Sequence, residues 1–141
     1  LQASVKSDII LIESFTSSNF HRTREQISHI ARAISNKGQS KKFILMSQAI
    51  TMAAKAKELC ACQSAWFIPN EMGSIDKVIE AARENHIDWV FTDIEEASTI
   101  NSLKLRQNGI RFGVIIYKPP SDELTIPPIP ADLFVIRDRE T

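Results

Sequence analysis

Short apolar blocks alternate along the chain with longer stretches in which apolar residues recur every three or four positions. Residues 74–118 show this alternation most clearly. The apolar positions at the start of this stretch are Ile75, Val78, Ile79 and Ala82. Their spacing is typical of one helical face, while the blocks 87–91 and 110–117 favour strands that are buried on both sides. With a second helix-like run that ends at residues 108–109, the stretch predicts a helix–strand–helix–strand unit with a parallel sheet.

The same rhythm continues on both sides of this unit. Further strands are predicted at residues 7–14, 43–47, 65–69 and 132–136. Residues 23–26 form a capping box that begins a helix, and a second helix with small residues on one face is predicted over 49–60. The prolines between 119 and 130 exclude a helix interior, so the last crossover is predicted to be extended.

These elements predict one α/β domain over residues 1–141. The fold class is a three-layer sandwich with a mostly parallel sheet of about six strands, flavodoxin-like or Rossmann-like. The alternative is a half-barrel, which exposes strand edges and therefore needs a partner. We expect a protein partner or other domains of the same chain, and a homodimer is one form of this. Because the sequence begins with Leu1, the domain is expected to belong to a longer protein.

Charge and composition narrow the function classes. Lys and Arg together number 17, as do Asp and Glu, so the formal net charge is zero, whereas nucleic-acid-binding proteins carry a basic excess. A local basic surface is still a candidate, formed by Arg22, Arg24, Arg32, Lys37, Lys41 and Lys42. No run of 18 apolar residues occurs, so no membrane contact is expected.

The two cysteines are separated by one residue, as Cys60 and Cys62. This spacing matches neither a zinc ribbon nor a redox motif. We interpret both as reduced, partly buried thiols at the end of a helix, which favours a cytoplasmic location.

Candidate chemistry lies at the carboxyl ends of the predicted strands, because ligands of parallel α/β sheets bind there. The polar residues at these ends are Glu13, Ser14, Ser47, Gln48, Asn70, Glu71, Thr92, Asp93, Lys118, Arg137 and Asp138. As ligand-binding candidates we take Ser14, Ser47, Gln48, Asn70, Glu71, Thr92 and Asp93. If the protein is an enzyme, the catalytic candidates are Glu13, Asp93 and Lys118, and the metal ligands are Glu13, Glu71 and Asp93. No glycine-rich phosphate loop or serine elbow is present, and no cofactor is expected.

Residues 74–118 resemble part of a response-regulator receiver domain. Asp93 follows a buried strand as the phospho-accepting aspartate does, and Lys118 precedes a proline as in that family. The acidic pair that binds magnesium is replaced by Ser47 and Gln48. The resemblance implies a regulatory domain that is not phosphorylated.

The order of all six strands is similar to the C-terminal half of the glycerophosphodiester phosphodiesterase barrel. Glu13 falls at the first position of that family's Glu-x-Lys motif, but Phe15 replaces the lysine. Residues 8–13, followed by a helix that contains Gln26, are also similar to the core of Mrr-like or Holliday-type nucleases. Both resemblances imply chemistry on phosphodiesters.

The sequence therefore leaves three functions open. The leading hypothesis is a non-catalytic regulatory or interaction domain, receiver-like but without the metal-binding acids. The alternatives are a metal-dependent phosphodiester hydrolase or nuclease-like domain and a nucleic-acid-binding module.

Overall fold

The computed structural model describes residues 10–14, 43–60, 62–69, 71–118, 126 and 128–138. Within these ranges it describes the backbone alone at residues 10–14, 56, 57, 59, 60, 118 and 138. The first predicted helix, which begins at the capping box of residues 23–26, lies outside the described residues.

The described elements follow one another as strands and helices. The strands are β1 (Ile10–Ser14), β2 (Phe43–Ser47), β3 (Gln63–Ile68), β4 (Trp89–Asp93), β5 (Arg111–Lys118) and β6 (Leu133–Asp138). The helices are α1 (Ile50–Cys60), α2 (Ile75–Glu84) and α3 (Thr99–Gln107), and a 3-10 turn spans Ile94–Glu96. For the described residues, these bounds agree with the predicted elements to within two residues, and the 3-10 turn was not predicted.

All described strands are parallel and stand in the sheet in chain order, β1 to β6. The predicted α/β class with a parallel sheet is confirmed. The flavodoxin-like or Rossmann-like order, which reverses at a switch point, is wrong because each crossover advances the sheet by one strand in the same direction. A sheet built this way is that of a half-barrel, which the sequence offered as the alternative. The receiver-like interpretation fails with the reversed order that it requires.

The described helices pack on one face of the sheet. Val90, Phe112 and Val114 of the strands meet Val78, Ala82 and Leu105 of α2 and α3 in a buried cluster, which we call the helix-facing layer. Its other buried members are Ala53, Met72, Ile79, Ile87, Ile110 and Ile116. Since α2 places its three buried residues at i, i+1 and i+4, the apolar stripe read from the sequence is the stripe that packs.

The opposite face of the sheet holds a second buried cluster, made of strand residues alone among the described residues. We call it the inner layer, and it consists of Ile44, Met46, Ala65, Phe67, Trp89, Phe91 and Ile115. The rings of Trp89 and Phe91 stack with centroids 5.5 Å apart. Gly113 leaves the space that the Phe91 ring occupies, because a Cβ at this glycine would collide with the ring. The inner layer therefore closes the concave side of the sheet with side chains.

The crossover from β5 to β6 contains no helix among its described residues, as its prolines predict. Ile129 and Ala131 pack against the helix-facing layer instead. The hydroxyl of Ser102 in α3 donates to the carbonyl of Pro130, which fixes the segment beside α3.

Cys62 corrects one expectation. It is buried and disulfide-bonded, so the prediction of a reduced thiol is wrong for this residue. The inference of a cytoplasmic location depended on reduced cysteines and loses that support. Among the described residues, no helix has the length and apolar character that crossing a membrane requires.

Candidate functional site

The carboxyl end of the inner layer is polar. Side chains alternate between the two faces of a strand, and Trp89 and Phe91 of β4 belong to the inner layer. The same alternation places Asp93, the last residue of β4, on that face. Tyr117 packs against the inner layer directly, and Arg137 follows Leu133 and Val135, which also pack there. We call Asp93, Tyr117 and Arg137 the inner rim.

Asp93 is held in a partly buried position. Its Oδ1 atom is buried and has no hydrogen-bond partner among the described residues. Burial raises the pKa of its carboxyl, and the nearby charge of Glu95 raises it further. An acid whose pKa is raised in this way is a candidate for proton transfer or ligand binding.

Tyr117 and Arg137 come from neighbouring strands and stand in register with each other. Arg137 is partly buried, and burial lowers the pKa of its guanidinium, although an arginine remains a cation at neutral pH. A partly desolvated cation beside a phenol is suited to an anion, since a guanidinium pairs with phosphate oxygens through two parallel hydrogen bonds.

The register gives the size of the rim. Asp93 is aligned with Ile115 of β5, and Ile115 is aligned with Val135 of β6. Arg137 therefore lies two strands across from Asp93 and two residues further along. At about 4.8 Å per strand and about 3.3 Å per residue, the two Cα atoms are about 12 Å apart. The two residues therefore lie on opposite sides of β5 at the same edge of the inner face.

Two of the predicted binding residues have structural roles. Ser47 is buried, and its hydroxyl accepts a hydrogen bond of 3.2 Å from the amide of Ala49, just before α1 begins. The carbonyl of Gln48 accepts from the indole nitrogen of Trp66 at 3.2 Å, while the residue itself is exposed. Both therefore serve the turn between β2 and α1.

Thr92 and Glu71 do not join the inner rim. Thr92 is fully buried and lies one residue before Asp93, so it faces the helix side of the sheet. Glu71 is exposed in the loop before α2. The described residues contain no group of three His, Cys, Asp or Glu side chains that could hold a metal ion. The side chain of Glu13 is not among them, so the predicted metal set of Glu13, Glu71 and Asp93 stays a prediction.

The structure describes some of the other predicted site residues by their backbone alone and does not describe the rest. The backbone of Glu13 stands in register with Met46, and that of Ser14 with Ser47. The backbone of Lys118 stands in register with Asp138. Asn70 and the basic candidates Arg22, Arg24, Arg32, Lys37, Lys41 and Lys42 are outside the described residues, so the nucleic-acid interface stays a prediction.

The sequence assigned Tyr117 to core packing, which its contact with the inner layer confirms, and did not select Arg137 as a binding residue. The signal was available in the alternation of β5 and β6. Counting in steps of two from Ile115 and from Val135 places both residues on one face, next to the sheet edge where ligands bind.

Comparisons with known proteins identify structural neighbours only. No family model and no curated protein matches the chain. A solved structure from Agrobacterium tumefaciens, of a protein assigned as a glycerophosphoryl diester phosphodiesterase, is similar with a TM-score of 0.68 and 12% identity. The match covers 89% of this chain and 52% of that one.

A second neighbour is a protein from Silicibacter pomeroyi with the same assignment. It is similar with a TM-score of 0.68 and 9% identity over 91% of this chain and 46% of its own. The chain thus spans about half the length of the solved structures it matches. At this identity the likeness concerns the fold, and it agrees with a half-barrel.

Proposed function

We propose that the chain is a domain of a metal-dependent phosphodiester hydrolase that binds a phosphate ester at the inner rim. The carrying observation is that Asp93, a carboxyl with a raised pKa, and Arg137, a partly buried cation, both lie on one face of the sheet at its carboxyl edge. The half-barrel shared with two proteins assigned as phosphodiesterases supports the substrate class.

Each rim residue has a defined role in this proposal. Arg137 neutralises the charge of the phosphate and orients it through its planar donors. Tyr117 supplies a hydroxyl that donates to a phosphate oxygen. Asp93 acts in its ionised form: burial and the charge of Glu95 raise the pKa of its carboxyl, and a bound divalent cation would supply the positive charge that stabilises the carboxylate.

The inner rim offers one oxygen ligand to a divalent cation. The buried Oδ1 of Asp93, which has no hydrogen-bond partner among the described residues, is an oxygen donor of the kind that Mg²⁺ and Ca²⁺ prefer. When bound, such an ion polarises phosphate oxygens and activates water.

Metal titration tests the proposal directly. Mg²⁺, Mn²⁺ or Ca²⁺ at millimolar concentration should raise the melting temperature by mass action, with about 2.7 kcal/mol of added stability at one hundred times Kd. A glycerophosphodiester should be cleaved in the presence of the ion, as followed by release of the alcohol.

Three variants assign the effect to the inner rim. Asp93→Asn should abolish the metal-dependent shift, and Arg137→Met should weaken substrate binding at least tenfold while keeping the shift. Asp76→Asn is the matched control, because Asp76 is an exposed carboxylate on α2, and it should behave as the wild type. Absence of any shift and of any cleavage with all three ions would overturn the proposal and favour a non-catalytic interaction domain.

A further inference from the structure

The outward face of α3 carries apolar side chains where a surface helix usually carries polar ones. Ile100 is 69% exposed and Leu103 is 47% exposed, whereas Ser102 and Leu105 of the same helix are buried. At 3.6 residues per turn, Ile100, Leu103 and the exposed Gln107 fall on one side of α3. That side lies opposite Leu105, which packs in the helix-facing layer. We call Ile100, Leu103 and Gln107 the outer ridge.

The exposure of the outer ridge does not arise at an edge of the sheet. Helix α3 connects β4 with β5, and each of these strands pairs with a neighbour on both sides. Further strands would join the sheet beyond β1 or β6 and would not cover α3. The described part of the next crossover contacts α3 through Ser102 and Pro130, beside the ridge and not over it. The outer ridge therefore lies on the outer surface of the helix layer.

Cations flank the outer ridge on both sides. Lys104 lies towards α2, where its Nζ atom is 3.9 Å from Oδ1 of Asp76. Arg106 lies towards the last crossover, where its Nε atom is 3.9 Å from Oδ1 of Asp132. Accessible ion pairs of this length are weak, so both cations can also contact anionic groups from outside. Residues 99–107 contain these two cations and no acid, so α3 carries a net charge of +2.

We propose that the outer ridge docks on the surface of an anionic lipid bilayer, with Ile100 and Leu103 inserted among the headgroups. Lys104 and Arg106 then lie at the level of the lipid phosphates, and the apolar and electrostatic contributions add. The sequence predicts no membrane contact because it has no apolar run of 18 residues, but a helix that lies along the surface requires no such run. This proposal goes beyond the proposed function and does not depend on it.

A lipid surface suits both the shape and the charge of the outer ridge. The ridge is a convex line of side chains on a helix and not a groove, so it offers no cleft to a peptide. A bilayer surface accommodates a convex apolar side chain, and its anionic headgroups complement Lys104 and Arg106. Because α3 begins just beyond the carboxyl end of β4, Ile100 in its first turn lies at the same end of the molecule as Asp93. Docking there would bring the inner rim close to the bilayer.

Co-sedimentation of the full chain with vesicles of phosphatidylcholine, with and without phosphatidylserine, tests the proposal. The wild type should bind the vesicles that contain phosphatidylserine, and added salt should weaken this binding. Ile100→Gln and Leu103→Gln keep a good helix former, and each should lower the partition coefficient by about tenfold because one apolar insertion is lost. Lys104→Gln combined with Arg106→Gln should lower it by about tenfold or more. Ile136→Thr is the matched control, since Ile136 on β6 is as exposed as Leu103, and it should bind as the wild type does.

Other outcomes would overturn the proposal. A wild type that binds neither kind of vesicle excludes a lipid contact, and equal binding to both kinds excludes a role for the cations. Unchanged binding in Ile100→Gln and Leu103→Gln excludes the outer ridge, and loss of binding in Ile136→Thr assigns the contact to β6. If the wild type binds no vesicle but self-associates in sedimentation equilibrium, and Ile100→Gln prevents this, a second copy covers the ridge. Circular dichroism verifies folding, and if a ridge variant does not fold, the salt dependence and the double lysine and arginine variant give the decision.

Discussion

At the scale of single residues, the ionised carboxyl of Asp93 destabilises the folded protein. Its carboxyl is partly desolvated, and Glu95 adds a second negative charge nearby, so its pKa is raised. The folded protein therefore binds this proton more tightly than the unfolded chain does. The free energy of unfolding falls as the pH rises from the ordinary aspartate range through the raised folded value, and the loss persists at higher pH.

Replacing Asp93 with asparagine removes this cost. We expect Asp93→Asn to melt at a higher temperature than the wild type at neutral pH, and the difference to shrink as the pH is lowered towards the ordinary aspartate range. Melting temperatures measured from acidic to neutral pH in metal-free buffer test this, with Asp76→Asn as the exposed control. A neutral-pH melting temperature that is lower in Asp93→Asn would show that the carboxylate stabilises the fold instead.

At the scale of elements, two aspartates tie neighbouring strands together at the amino end of the sheet. The carboxylate of Asp88 accepts from the amide of Ser64 at 2.9 Å, and the carboxylate of Asp132 accepts from the amide of Phe112 at the same distance. The backbone returns each contact, since the amides of Asp88 and Asp132 donate to the carbonyls of Ser64 and Phe112. Each aspartate precedes its strand by one residue and fixes the register with the previous strand.

Variants of Asp132 test the contribution of these hydrogen bonds between neighbouring strands. Asp132→Ala leaves the amide of the fully buried Phe112 without its acceptor, which should lower the free energy of unfolding by about 1–3 kcal/mol. Asp132→Asn keeps an acceptor oxygen and should lose less than half of that. The ion pair with Arg106 at 3.9 Å contributes little because both groups are accessible to solvent. Equal losses in the two variants, measured by urea unfolding, would assign the effect to charge and not to the hydrogen bond.

At the scale of the whole molecule, periodicity predicted the elements because each one buries a face that its own residues define. The helical stripe of Val78, Ile79 and Ala82 and the buried run of Trp89 to Phe91 required no knowledge of distant partners. The order of the strands in the sheet could not be predicted from periodicity. Doubly wound sheets and half-barrels are built from the same β-α units, and the choice between them depends on the direction of each crossover, which no local pattern encodes.

The inner rim was predictable only in part for a related reason. Asp93 was identified as a strand-end acid. Ser47 and Thr92 were grouped with it, but Ser47 bonds to the turn before α1 and Thr92 is buried on the helix side of the sheet. Position at a strand end indicates the edge of the sheet, whereas the face depends on counting from residues known to be buried inside. Tyr117 shows this most clearly, because an aromatic residue fits either face equally well.

The inner layer joins neighbouring strands into one core, and Gly113 tests how tightly it is packed. A methyl group at this position would overlap the ring of Phe91, which is fully buried and cannot move away without displacing Trp89. Overpacking of this kind costs about 1–3 kcal/mol, and we expect Gly113→Ala to lose about 2 kcal/mol of the free energy of unfolding in urea.

Two further variants make the test of Gly113 specific. Phe91→Leu in the Gly113→Ala background should recover part of the loss, which a double-mutant cycle would report as a favourable coupling. Gly109→Ala is the control, because Gly109 has no atom within 4 Å of its added Cβ and adopts a positive φ of 74°, so backbone strain alone should cost about 1 kcal/mol. The prediction is wrong if Gly113→Ala lowers the free energy of unfolding no more than Gly109→Ala does and shows no coupling with Phe91→Leu. The inner layer would then accommodate an added methyl group and would not be tightly packed.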